Sequence, residues 1–125
     1  MTQDAYAPQS SLGDSQGAAR GAAHSDLLLA LDQGTTNTKA LLVEASTGTV
    51  IASAARRVGI SFPASGWVEQ DAEDIWSATE AAIDEVLTSA GDPTLAGITS
   101  SNQRESVAIW DESGHAIGPV LGWQD

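Results

Sequence analysis

Between two apolar runs, Leu27–Asp32 and Thr38–Glu44, the chain carries Gln-Gly-Thr-Thr-Asn, and Lys39 just beyond is its single lysine. A β-hairpin over these runs sets the Asp32 carboxylate at the end of a buried strand and leaves the backbone amides of Gly34, Thr35 and Thr36 free. Gly34 lacks a Cβ, so the backbone can approach a ligand closely, and successive N–H groups with threonine hydroxyls make an anion cradle. Asp32 can hold Mg²⁺ against the same anion, directly or through water. The chemistry implied is the binding of nucleotide phosphates. A Gly-Thr-Thr turn alone would suit an ordinary hairpin equally well; the preceding carboxylate and the closing basic residue favour phosphate.

A second polar group, Asn102-Gln103-Arg104-Glu105, interrupts two apolar segments. The ends of strands in α/β domains are where ligand contacts gather, and an adjacent Arg and Glu supply donors and an acceptor for the hydroxyls of a small polyol. Taken alone, these residues fit a solvated turn with a structural Arg–Glu pair better, because surface charge clusters are common. Trp76 and Trp110 are expected in the core, and Trp67 is expected to anchor the loop before a helix. Trp123 can pack on the carbon face of a substrate, although core packing is the general expectation for any tryptophan. His24 and His115 lack the companions that a metal site needs.

The elements that must position these groups follow from periodicity. Thr49–Val58 reads as a third strand and Ile60–Gly66 as a loop. Asp71 is suited to cap a helix whose first turn holds Glu73 and Asp74, and Ile75, Thr79, Ala82, Ile83, Val86, Leu87 and Ala90 form its apolar face. Gly91 and Pro93 end it. Leu95–Ser101 is expected to be a fourth strand, Ser106–Trp110 a fifth, and Ile117–Trp123 extended. Three strands, a crossover helix and a returning strand describe an α/β, ribonuclease-H-like sandwich, in which strands one to three are antiparallel and the return is parallel.

A chain of 125 residues fits one domain. Residues 1–25, rich in Ala, Ser, Gly and Gln, are expected to form a disordered tail, with the folded part spanning 26–125. Formal net charge is −12, from seventeen acidic and five basic residues, so no basic patch can be assembled for nucleic acid or an anionic membrane. There are no cysteines, which fits a cytoplasmic protein. No apolar run approaches the roughly 20 residues of a membrane span.

A hairpin phosphate loop, with neither a P-loop nor a Gly-x-Gly-x-x-Gly turn, points to the sheet-based nucleotide domains of sugar kinases, actin and Hsp70. More specifically, Asp32-Gln-Gly-Thr-Thr-Asn-Thr-Lys39, Gly66-Trp-Val-Glu-Gln-Asp71 with Ile75-Trp76, Gly97-Ile98 leading to Asn102-Gln-Arg-Glu105, and Gly122-Trp-Gln-Asp125 occur in order. This pattern resembles the FGGY carbohydrate kinases, nearest to members that phosphorylate glycerol. The resemblance implies ATP and Mg²⁺ as cofactors and a polyol or sugar as substrate. It assigns Asp32 to Mg-ATP and Gly34, Thr35, Thr36, Asn37 and Lys39 to the phosphate loop. It assigns Arg104 and Glu105 to substrate hydroxyls, which reverses the preference drawn from those two residues alone, and Trp123 to the substrate lining.

Lys39 stands where such kinases usually have Arg, and Asn37-Thr38 where they have Ser-Ser or Ser-Thr. Pentulose kinases usually carry Gly-Gln-Met-His at positions 102–105, so a pentulose is disfavoured. The resemblance covers only the first part of the N-terminal domain of a two-domain enzyme. It places the catalytic aspartate and the adenine pocket beyond residue 125, so an inactive fragment is expected. The alternative is a non-catalytic nucleotide- or polyol-binding module.

Overall fold

A computed structural model of the chain describes residues 26–122. The expected tail, residues 1–25, and Trp123 lie outside the described residues. Six strands and one helix follow in the order β1 (Leu27–Gln33), β2 (Asn37–Glu44), β3 (Thr49–Arg57), β4 (Glu69–Gln70), α1 (Ala72–Ser89), β5 (Gly97–Asn102) and β6 (Val120–Leu121). The main sheet has the order β3-β2-β1-β5; β2 runs antiparallel to both its neighbours, and β5 runs parallel to β1. β4 and β6 form a separate antiparallel pair.

Strand alternation decides what each face meets. Leu27, Leu29 and Leu31 of β1, Ala40 and Leu42 of β2, and Ala52 and Ala54 of β3 form one apolar layer with Ala82 and Val86 of α1. The small side chains of Ala40, Ala54 and Ala82 let the helix lie close over β2 and β3. A second cluster of Val58, Ile75, Ala78 and Val120 joins the start of α1 to β6.

The helix begins where its cap dictates. Asp71 holds an extended backbone (φ −85°, ψ 128°), and its Oδ1 accepts the N–H of Glu73 at 2.7 Å. Glu73 and Asp74 lie in the first turn, where the helix dipole favours negative charge. Ala90 is the C-cap and Gly91 takes a left-handed φ of +76°, which glycine adopts without a Cβ clash.

Three expectations need correction. Ser106–Trp110 is not a strand; it makes only isolated bridges, Val107 to Leu121 and Trp110 to Ala116. Glu105 takes a φ of +60°, which breaks the extended line before the segment can pair along β5. Of the expected extended stretch Ile117–Trp123, among the described residues 117–122 only Val120–Leu121 forms a strand, because β4 offers it just two residues of edge. Trp76 and Trp110 are not core residues, being 57% and 56% exposed, and Trp67 is exposed as well. Trp76 follows Ile75 directly, about 100° around the helix from the buried stripe of Ile75, Ala78, Thr79, Ala82 and Val86. Among the described residues, no helix is long and apolar enough to cross a membrane.

Candidate phosphate turn and polyol loop

β1 and β2 are joined by the two-residue loop Thr35-Thr36, since Gln33 pairs with Thr38 and the Gly34 N–H donates to the Asn37 carbonyl at 2.9 Å. That bond corrects one expectation: the Gly34 amide closes the turn and is not offered to a ligand. A Cβ at Gly34 would sit 3.2 Å from the Asn37 carbonyl oxygen, so the tightness of the turn itself explains the glycine.

Parallel pairing sets β5 beside β1, with Asp32 opposite Ser101 and Gln33 opposite Asn102. The Gln103 N–H continues the ladder to the Gln33 carbonyl at 2.8 Å before the chain leaves the sheet. The hairpin turn and the segment 102–105 therefore stand side by side at one sheet end, where strand ends in α/β folds present ligand sites. Between them is a cavity of about 460 Å³ lined by Asp32, Gln33, Gly34, Thr35, Asn102, Gln103, Arg104 and Glu105.

The cavity thus brings together Asp32, Gly34, Thr35, Arg104 and Glu105 of the expected site. It does not collect all of it. Thr36 lines a separate hollow with Arg57, Val58, Gly59, Ile60 and Phe62. The Asn37 Nδ2 donates to Thr36 Oγ1 at 3.2 Å, and Lys39 stands one register step along β2, directly across from Asp32. Arg104 and Glu105 are exposed and form no ion pair with each other. The structural Arg–Glu pair considered from the sequence is absent among the described residues.

Two contributors were not legible as site residues. Gln70 on β4 is 2% exposed, and its Nε2 donates to the carbonyls of Thr35 (2.8 Å) and Gly59 (3.2 Å). Its Oε1 accepts from Gln103 Nε2 at 3.0 Å. Only its place within Gly66-Trp-Val-Glu-Gln-Asp71 marked it. Arg57 pairs in register with Asn37, whereas its neighbour Arg56 crosses to the other side of the sheet and pairs with Glu85 of α1. The Arg-Arg doublet ending the third strand was the available signal.

Asp32 is an exposed carboxylate at the sheet end, and no group of three or more His, Cys, Asp or Glu that could hold a metal exists among the described residues. Such a donor set does not fit a metal held by protein alone. It fits Mg²⁺ arriving with a polyphosphate, which needs only one or two carboxylates because phosphate oxygens and water complete its shell.

A four-stranded mixed sheet with a hairpin turn at the end where β5 leaves it is the architecture of the ribonuclease-H-like class. The particular family follows from comparison: residues 27–125 match the N-terminal domain of the FGGY family of carbohydrate kinases, and the chain belongs to that family. The glycerol kinase of Acinetobacter baylyi is 46% identical over 103 residues, covering 78% of this chain and 20% of its own length. The apulose kinase of Pectobacterium atrosepticum is 41% identical over 103 residues, covering 82% and 21%. Among solved structures, the xylulose kinase of Rhodospirillum rubrum superposes with a TM-score of 0.74 at 33% identity, covering 79% of this chain and 20% of that one. The glycerol kinase of Plasmodium falciparum, solved with ADP, gives 0.72 at 25% identity with the same coverage. The chain spans about a fifth of the length of the curated relatives it matches.

Proposed function

We propose that this chain supplies the phosphate turn and the substrate loop of an ATP-dependent carbohydrate kinase acting on glycerol or a similar polyol in the cytoplasm. The observation that carries the reading is the shared cavity, which sets Asp32, Gly34 and Thr35 opposite Arg104 and Glu105. Phosphoryl transfer needs a donor phosphate and an acceptor hydroxyl held in line, and these two rims hold one group each. Kinase relatives that include a structure with ADP support a nucleotide on the turn side, and the glycerol kinases at 40–46% identity support a polyol on the other.

In this reading Asp32 would hold Mg²⁺ brought by the nucleotide, and the ion would supply positive charge against the phosphates. Thr35 meets the phosphates from within the cavity, and Thr36 and Asn37 meet them from the outer side of the turn, which Gly34 keeps tight. Lys39 adds a cation from the adjacent strand. The Arg104 guanidinium donates to a substrate hydroxyl, and Glu105 accepts from a neighbouring one, which orients the oxygen for attack. Trp123 packs on the substrate carbons. None of these residues stands as the base that takes the hydroxyl proton, so the chain alone is expected to have negligible turnover.

The test is a chimera in which residues 27–125 replace the matching segment of the A. baylyi glycerol kinase. The chimera is expected to form ADP with glycerol as acceptor, and the isolated chain is expected not to. A folded chimera inert toward glycerol and other short polyols would overturn the assignment, and ordinary kinase turnover by the isolated chain would overturn its dependence on further sequence.

A further inference from the structure

Among the described residues, Gln70 is the one buried amide side chain that touches both rims of the cavity. Its Nε2 donates to Thr35 in the turn and to Gly59 beyond β3, while its Oε1 accepts from Gln103 in the substrate loop. The two carbonyl acceptors fix which end of the amide is nitrogen, so the side chain has a single satisfied orientation. Three segments that are distant in sequence (35, 59 and 103) therefore converge on one residue of a two-residue strand.

That strand is itself fixed. The Gly122 N–H donates to the Val68 carbonyl at 2.8 Å, and a Cβ at Gly122 would stand 3.1 Å from the same oxygen. Gln70 pairs in register with Val120, which is buried with Val58, Ile75 and Ala78. The amide is thus carried on a rigid support next to the start of α1.

We propose that Gln70 is a positioning residue that holds the hairpin turn and the 102–105 loop in register across the cavity, so that phosphate and polyol are met by one preorganised unit. The inference rests on the functional reading above for its purpose. Beside this bridge, the loop is tied to the hairpin at the Gln33–Asn102 end of the ladder and by the Gln103 N–H to the Gln33 carbonyl, at a strand end, where strands fray. Removing the Gln70 amide takes this donor from the Thr35 and Gly59 carbonyls and this acceptor from Gln103 Nε2 at once, so substitution releases both rims together.

The experiment is amide hydrogen exchange and ¹⁵N NMR on the 125-residue chain and its Gln70→Leu and Gln103→Leu variants. Gln70→Leu should raise exchange at the Gly34, Val58 and Gln103 amides by about tenfold or more and leave Leu29 and Leu42 unchanged. Gln103→Leu removes only the bond across the cavity. It should loosen the loop while Val58, whose N–H bonds to Thr36, keeps its protection. Uniform loss of protection in both variants, or none at these amides, would overturn the proposal, since either result marks a residue that is merely structural or dispensable.

A second arm titrates Mg²⁺ with tripolyphosphate. In the parent chain, shifts at Thr35 and Thr36 should extend to Gln103–Glu105, and in Gln70→Leu they should stop at the turn. If the parent chain shows no shift with tripolyphosphate or with glycerol, the kinase reading fails while the exchange pattern still decides the role of Gln70.

Discussion

Asp32 and Lys39 are direct partners across the β1–β2 ladder, on the sheet face that α1 does not cover, and no ion pair joins them. Arg57 lies on that same face, two residues along β3 from the partner of Lys39. None of the three forms an ion pair among the described residues. In the proposed kinase these side chains would meet a divalent ion and the phosphates it accompanies.

Lys39→Ala in the chimera should therefore raise the KM for ATP by about tenfold, the scale of one charge-assisted contact. The KM for glycerol should stay within about twofold, because Lys39 stands outside the cavity that faces the substrate loop. Lys39→Arg should retain most of the affinity, since the charge is kept and a forked donor suits phosphate. Steady-state kinetics with each substrate varied in turn checks both. A rise in glycerol KM of equal size would place Lys39 elsewhere in the mechanism.

Arg104→Ala should give the opposite split. A guanidinium donating to a substrate hydroxyl contributes about 1.5–3 kcal/mol, so the KM for glycerol should rise roughly 10- to 100-fold with ATP affinity kept. The same assay reads it out. Unchanged polyol kinetics would remove Arg104 from the substrate loop.

Asp71→Ala tests the cap of α1, the residue next to Gln70. Losing the 2.7 Å bond to the Glu73 N–H should cost about 1 kcal/mol, a fall in Tm of roughly 4–8 °C for a domain of this size. Thermal unfolding followed by circular dichroism measures it. Asp71→Asn, which can still accept that hydrogen bond, should recover most of the loss.

What the sequence disclosed and what it withheld have separate physical causes. The β1–β2 hairpin, β3 and α1 were legible because each buries a periodic stripe: Leu27, Leu29 and Leu31 on one strand, Ile75, Thr79, Ala82 and Val86 on the helix. The parallel return was read as a strand, but its register, which sets Asp32 opposite Ser101 and so brings 102–105 beside the hairpin turn, was not. The tryptophans misled because ring size speaks for burial only where a partner surface exists, and α1 turns Trp76 away from the sheet. Gln70 was invisible for the opposite reason. A glutamine between Glu69 and Asp71 reads as solvated, and only the meeting of Thr35, Gly59 and Gln103 around it reveals a buried amide. Long-range polar convergence leaves no periodic trace in a chain.

The same distinction predicts where stability resides. Leu42 is fully buried between β1, β3 and α1, whereas Ile98, on β5 in register with Leu29, is 66% exposed because the helix lies over β2 and β3. Both are large aliphatic residues within strands, and hydropathy alone would rank them alike. Leu42→Ala should cost about 2–5 kcal/mol through lost burial and the cavity left behind. Against a typical domain stability of about 5–15 kcal/mol, that is enough to lower the urea midpoint sharply or abolish cooperative unfolding. Ile98→Ala should stay within about 0.5 kcal/mol. Urea denaturation of the two variants side by side measures the contrast, and equal losses would mean that the face of β5 beside Ile98 is packed in solution.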